Sequence, residues 1–570
     1  MFELFYKKND NSHLFKYLEK NGFSNVQNYN PLYSKFFSLE ENNYNIFNLN
    51  HRYSLKDIKS RTSNNHFKVI CQDPNKNRQS FLSFFKYSPL LDPVKYMVGK
   101  YSKLNTDEYL ALPQLKNNIC HKKTLDQNNT AYVDSFFSYL SSKLLNIEDN
   151  NFIHGLDFYG SFLGVQNEFE LNISDDLEYL YDSDYFHKHK NVLFDVDDID
   201  EDRVLDSDTR NYRKKIVLLE ETENVSLKCD KLDDSMFDNL FTLTESNLKI
   251  HNNELQEEYS SDKKTSLKSN KLTNSTCSSR SSNTDNEEEE DEADDEMSEE
   301  LTNSQKSDYS SMDSDEYIKG VIHKFPVQII CLENLENTLD SLLDDEDHPM
   351  SIKHWASCLF QIIMTLITYQ KVFNFTHNDL HTNNVMFVKT QRKFINYKYN
   401  NVYYRVPTYG KLFKIIDFGR AIYYFKGNVI CSDSYHPNGD AATQYNFGPY
   451  FNDKKPRLEP NKSFDLCRLA CSLFDYFVDD PDRKHKIKNP IAKMVIEWTT
   501  DDKGRNILYK NNGEERYPDF KLYKMIVRTV HDHLPEKQLE RKVFSSFISS
   551  KKKIKKGKII NIDNYLDMSK

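Results

Sequence analysis

Glycine is scarce in this chain: 14 of 570 residues, with none between Gly22 and Gly99. That gap excludes a glycine-rich phosphate loop there, since closely spaced backbone amides are reached most easily without a Cβ. The nine cysteines include no C-x-x-C pair, which removes the usual zinc-ribbon and thioredoxin patterns. Cys467 and Cys471 lie in an apolar helical run with no His beside them. They read as core thiols in a reducing compartment. Residues 1–10 hold no apolar leader core, and no apolar run reaches 18 residues. A soluble, intracellular protein without a membrane partner is expected. Positive charge is not in excess either. Net charge is -11, and residues 287–300 carry eleven Asp/Glu without Lys or Arg, which equals the whole imbalance. The remainder is neutral overall, which argues against a specific nucleic-acid binder.

What is present suffices for a large core, with 38% hydrophobic residues. A helix is expected near Ser12–Asn21. His66–Cys71 and Phe81–Tyr87 read as paired strands around an Asp73-Pro74-Asn75 turn. Val133, Phe136, Phe137, Leu140 and Leu144 share one face of a helix over Tyr132–Leu145. Phe152–Leu163 and Phe325–Leu332 read as strands, the second buried on both faces. Residues 176–320 read as one acidic insertion. It holds a candidate strand at Lys215–Leu219, and its composition from about residue 251 is too polar to offset chain entropy. A long helix opens at the candidate cap Ser351, with Ile352, Trp355, Leu359, Ile362 and Leu366 on one face. Val385–Val388 and Leu412–Ile416 are short strands around a Lys-, Tyr- and Asn-rich insertion. Phe464–Phe477 is a buried helix. Residues 551–558 carry six Lys and read as a solvated tail; the functional alternative is a nuclear signal or a nucleic-acid contact.

The chemistry concentrates in His377-Asn378-Asp379-Leu380-His381-Thr382-Asn383-Asn384, followed 33 positions later by Asp417-Phe418-Gly419. An Asp, an Asn five residues on, and a second Asp before Phe-Gly suit metal-assisted phosphoryl transfer. One carboxylate meets the attacking hydroxyl, while an amide oxygen and another carboxylate hold Mg²⁺ against phosphates.

These motifs resemble the protein kinase superfamily. The resemblance covers roughly residues 60–175 and 320–480, and less clearly runs to 545. More narrowly, Phe85–Pro93, Tyr159–Gly164 and Asp417–Ala421 resemble the divergent serine/threonine kinases of giant, mimivirus-type DNA viruses. The resemblance implies an α+β fold of two lobes, a β-rich N-lobe and a helical C-lobe, with a long insertion in the N-lobe. It divides the chain into an extension (1–60), the first part of the N-lobe (61–175), the insertion (176–320), the hinge and C-lobe (321–545) and a basic tail (546–570). It implies transfer of the γ-phosphate of ATP, with Mg²⁺, to Ser/Thr hydroxyls of protein substrates. Asp379 becomes the catalytic base, and Asn384 and Asp417 the metal ligands. Lys86 becomes the lysine that holds the phosphates, and Asp134 its partner in place of the usual Glu. Glu333 and Leu335 fall at the hinge that meets adenine, and His381 near the γ-phosphate. His377 and Asp465 are expected to shape the catalytic loop. For a viral protein the host cytoplasm or the virion is the expected location.

Four departures bear on that reading. The glycine loop is missing. Asn378 replaces the Arg that pairs with a phosphorylated activation loop, so control by loop phosphorylation is not expected. His381 replaces a Lys, which makes that contact weaker or pH-dependent. No Ala-Pro-Glu closes the activation segment in plain form. Two rivals follow: a pseudokinase-type scaffold, and a small-molecule kinase of the choline or aminoglycoside type, against which Phe418-Gly419 argues.

Overall fold

A computed structural model describes residues 3–103, 106–116, 119–197, 318–343, 345, 348–478, 487–511, 513–554 and 558–570. The expected strand at Lys215–Leu219 and the acidic tract lie outside the described residues. The fold is mixed α+β with several antiparallel sheets.

After a short strand, Tyr6–Lys8, which pairs with Phe47–Leu49, comes α1 (Ser12–Lys20), which packs beside β1 (Phe23–Gln27). Then come β2 (Ser54–Arg61), β3 (His66–Gln72) and β4 (Arg78–Pro89). Helix α2 (Thr130–Leu145) precedes β5 (Phe158–Asn172), β6 (Phe194–Val196) and β7 (Lys319–Glu333). These strands form one seven-stranded sheet in the order β1-β5-β7-β4-β3-β2, with β6 paired to β7. The expected strand over His66–Cys71 is present as β3, where the alternate residues Phe67, Val69 and Cys71 point inward. Phe325–Leu332 is buried on both faces, and its strand extends to Lys319. Strand β5 starts at Phe158, six residues later than expected, because Phe152 and Gly155 form a turn instead. Within the expected insertion, residues 177–197 fold onto the sheet through two short helices and β6.

Helix α2 is buried nearly all round, a property the apolar stripe alone does not convey. Phe137 meets Tyr369, Phe375, Phe418 and Tyr423 on one side. Phe36 stacks on Phe136 from the other, at 4.9 Å between ring centroids. Tyr139 donates to Asn50 Oδ1 at 2.6 Å, and buried His51 meets the Tyr159 carbonyl at 3.0 Å. Residues 28–51, whose role the sequence leaves open, thus brace α2 from outside.

Helix α3 (Ile352–Phe373) opens on the expected Ser351 cap, whose Oγ accepts from His354 N at 3.4 Å. Of the expected face only Ile352 is exposed; every residue from Trp355 to Tyr369 is buried, which accounts for the helix's high apolarity. Asn374 closes it in the left-handed conformation (φ 47) and donates to Gln370 O. Next come β8 (Val385–Lys389), β9 (Phe394–Tyr399), β10 (Val402–Pro407), β11 (Lys411–Ile415), β12 (Ile422–Phe425) and β13 (Asn428–Cys431). The Lys/Tyr/Asn-rich insertion is the β9–β10 hairpin, joined by two Asn in the left-handed region. Helix α4 (Phe464–Phe477) has the expected bounds, with Cys467 and Cys471 both buried. Helix α5 (Phe520–Thr529) packs on it.

The basic tail is corrected in part. Lys551–Lys553 are exposed on a short turn that ends at buried Ile554, and Ile559–Asn561 form β14, parallel to β9. Beyond it, Met568 N donates to Val372 O at 2.7 Å, and Lys426 N to Met568 O at 2.9 Å. The reason is apolar: Ile560, Ile562, Tyr565 and Met568 are buried, so the Lys run is a connector to an anchored segment.

Candidate active site

Three elements bring the singled-out residues together. Strand β4 presents Lys86, α2 presents Asp134, and the turn after β11 presents Asp417. Lys86 Nζ lies 2.7 Å from Asp134 Oδ2 and 2.9 Å from Asp417 Oδ1. Asp134 Oδ1 accepts from Phe418 N at 2.9 Å, so a short Asp spans from helix to strand and turn at once. Burial would lower the Lys86 ammonium, but Asp134 and Asp417 outweigh it and hold it above its ordinary value. Burial raises the Asp134 carboxyl, against Lys86 and with a further push from Asp417. Asp417 has φ 62, an uncommon conformation for a non-glycine residue.

The loop before β8 is held from beneath. Asp465, fully buried at the start of α4, accepts from His377 N at 2.9 Å and Asn378 N at 2.9 Å. His377 is enclosed, and its Nε2 meets Ile416 O at 2.9 Å. Both act as loop-shaping groups, as the sequence suggests. Ile416 N donates to Asn384 O at 3.0 Å, which fastens the Asn384 turn to the Asp417 turn. Asn384 Nδ2 donates to Asp379 O at 2.9 Å and to His381 Nε2 at 3.0 Å. Its amide hydrogens are thereby used, leaving the carbonyl oxygen as the atom suited to a cation. Asp417 Oδ1 faces Lys86, which leaves Oδ2 for the same purpose. Among the described residues no group of three or more His, Cys, Asp or Glu is arranged to hold a metal. A Mg²⁺ held by Asn384 and Asp417 would complete its shell from phosphate and water, as that ion prefers.

Asp379 is 8% exposed. Its Oδ1 accepts from Tyr523 OH of α5 at 2.8 Å, and Tyr523 OH in turn accepts from Arg468 Nε at 3.0 Å. Burial would raise the Asp379 carboxyl, but Arg420, His381, Arg468 and the Tyr523 hydroxyl hold it well below the usual carboxylate range. Its ionised form therefore supports folding above the ordinary range near pH 4, and that support fades as pH falls below it. Tyr523, Arg468 and Arg420 were not singled out from the sequence. Tyr523 lies 144 residues beyond Asp379 in a helix whose pattern says only amphipathic; Arg420 had one signal, its place directly after Gly419.

His381 lies in the same loop: burial pushes its imidazole down to about 4, and the ring accepts from Asn384 Nδ2 at 3.0 Å. Glu333 is engaged within the fold through its side chain. Its carboxylate takes Lys414 Nζ and, at 2.8 Å, Asp157 N, because Lys414 is 3% exposed and needs a counter-charge. Leu335, just beyond, is buried. Strands β2 and β3 are joined by the turn Thr62–Asn65. Asn65 exchanges two hydrogen bonds with the Phe85 backbone, next to Lys86, and Thr62 N and Oγ1 both donate to His66 O. Side chains fold this turn where glycine would otherwise be needed.

Burial and Glu333 push Asp157 up to about 6, against Ser142 and Lys414. The raised value means its contribution to stability is present below the ordinary carboxyl range and lost as pH rises through about 6. Asp157→Asn is accordingly expected to gain in melting temperature over the parent as pH goes from 4 to 7. A gap that stays constant over that window would refute it.

No family model matches the chain. It is similar to "Uncharacterized protein 098R" of Invertebrate iridescent virus 6, with 29% identity over 182 residues. The match covers 30% of this chain and 26% of that protein, so the chain spans about a quarter of the length of the curated relative it matches.

Proposed function

We propose that the chain is a protein kinase with the two-lobed fold of that superfamily, transferring the γ-phosphoryl group of ATP, with Mg²⁺, to Ser/Thr hydroxyls of proteins. The observation that carries the reading is Lys86 held between Asp134 and Asp417, with Phe418 N on the same Asp134. A scaffold gains nothing from burying two carboxylates and an ammonium whose desolvation costs several kcal/mol per ion. An enzyme that grips phosphates does.

In this reading the seven-stranded sheet and α2 form the N-lobe, and α3 to α5 belong to the C-lobe. Lys86 neutralises phosphate oxygens. The Thr62–Asn65 turn covers them, and the Asn334–Leu335 backbone is the place for adenine. Mg²⁺, when bound through Asn384 and Asp417, supplies charge that offsets the developing negative charge of transfer. Asp379 accepts the proton of the acceptor hydroxyl, and its low basicity suits orientation more than early proton removal. Tyr523, on the Asp379 carboxylate, positions it. Loss of a hydrogen bond to a charged group is worth about 1.5–3 kcal/mol. Tyr523→Phe should therefore raise the acid limb of the kcat/KM profile by about one pH unit. An unmoved limb would remove Tyr523 from the mechanism.

The deciding assay incubates the full chain with Mg²⁺ and γ-labelled ATP, on generic protein acceptors and on a panel of small hydroxyl and amine metabolites. Label on Ser/Thr of protein supports the proposal. Label on a metabolite alone favours the small-molecule rival. A thermal shift with Mg-ATP but no transfer favours the scaffold.

A further inference from the structure

The segment after Gly419 reaches back to the N-terminus of α2. Asp433 Oδ1 accepts from Thr130 N at 3.0 Å and from Thr130 Oγ1 at 2.9 Å. Its other oxygen takes Lys123 Nζ. Asp433 N donates to Asn128 O at 2.7 Å, and Ser432 Oγ lies 2.7 Å from Thr130 Oγ1. The carboxylate is 7% exposed. One helical turn further along, Tyr423 OH donates to Val133 O at 2.8 Å, next to Asp134. The post-Gly419 segment thus grips α2 both at its end and beside the residue that meets Lys86.

A negative charge at this spot is favoured twice, by the positive end of a 16-residue helix and by a half-buried ammonium. Those are the terms by which an added phosphate orders a segment against a helix. Here the charge is built into the chain. The segment is tied down on its other side as well: buried Asn378, where an Arg is usual, donates to Arg420 O at 3.1 Å and accepts from Tyr445 OH. Arg420 also pairs with Asp440 at 2.8 Å. Asn378 has no charge with which to read a phosphate.

We infer that Asp433 is a positioning residue that fixes α2 so that Asp134 seats on Lys86, and that the site therefore assembles without phosphorylation of residues 420–445. The inference rests on the kinase reading above for its effect on turnover, but not for its effect on α2. Coupling of this kind is worth about 5–150-fold. In the full chain, Asp433→Asn is expected to speed amide hydrogen exchange across residues 131–137 by about tenfold and to lower kcat by about tenfold, with a smaller change in KM for ATP. Should Asp433→Asn fail to fold, Lys123→Met and Thr130→Val, each removing one partner of the carboxylate, carry the same exchange comparison. Parent protein treated with a phosphatase, and shown by mass spectrometry to carry no phosphate on residues 420–445, is expected to keep its full rate. Unchanged exchange at 131–137 in the variants overturns the inference. So does loss of activity on phosphatase treatment. If the parent transfers no phosphate in either form, the kinase reading falls, while faster exchange in the variants still upholds the hold of Asp433 on α2.

Discussion

Asp379→Asn is expected to lower phosphoryl transfer by about 10²–10⁴-fold, the range attributed to a general base, and Asp417→Asn by at least as much. Both variants should still fold, although Asp379→Asn gives up the stability that the ionised carboxylate supplies. The carboxamide oxygen that replaces the Asp379 carboxylate still accepts from Tyr523, and Lys86 keeps Asp134 at 2.7 Å when Asp417 loses its charge. The two variants differ in what they spare. Asp379→Asn keeps both proposed metal ligands, so a Mg-ATP thermal shift should survive it. Asp417→Asn removes a ligand charge and should shrink that shift. Parent-like transfer by both variants would defeat the assigned roles. A parent-like thermal shift in Asp417→Asn would defeat the metal site alone.

The largest loss of stability is expected from Asp465→Ala. Its carboxylate serves the His377 and Asn378 amides in a fully buried place. Each donor left without a partner costs about 1–3 kcal/mol, so about 4 kcal/mol in all, a large part of a domain's stability. Asp465→Asn keeps an acceptor oxygen and should lose about half as much. Urea unfolding of the three proteins checks the order. An Ala variant as stable as the parent would mean that the loop does not depend on this support.

What could be read beforehand follows from how local each signal is. Helix α4 and the Ser351 cap were legible because apolar spacing and capping are written within one element. The order Asp379, Asn384, Asp417 was legible because loop and turn adjoin one hairpin, β8–β11. The Lys86–Asp134 pair could be named as candidates only, since a carboxylate one methylene shorter than Glu reaches Lys86 only if α2 packs closely. That closeness comes from Phe36, Tyr139 and Tyr423, contributed by distant parts of the chain. The Glu333–Lys414 pair was not legible because the two lie 81 residues apart, and a lysine in a strand gives no sign that it is buried. Tyr523 and Asp433 were missed for the same reason, as neither belongs to a short motif.

Strand β14 and the residues after it have a consequence for biosynthesis. β9 gains its second neighbour, and the end of α3 its cover over Val372, only from residues 559–569. These leave the ribosome long after the loop they support. A nascent chain ending before them would present an open sheet edge, a ready template for another strand. Cleavage between Ser550 and Ile559 should therefore cost solubility before it costs chemistry.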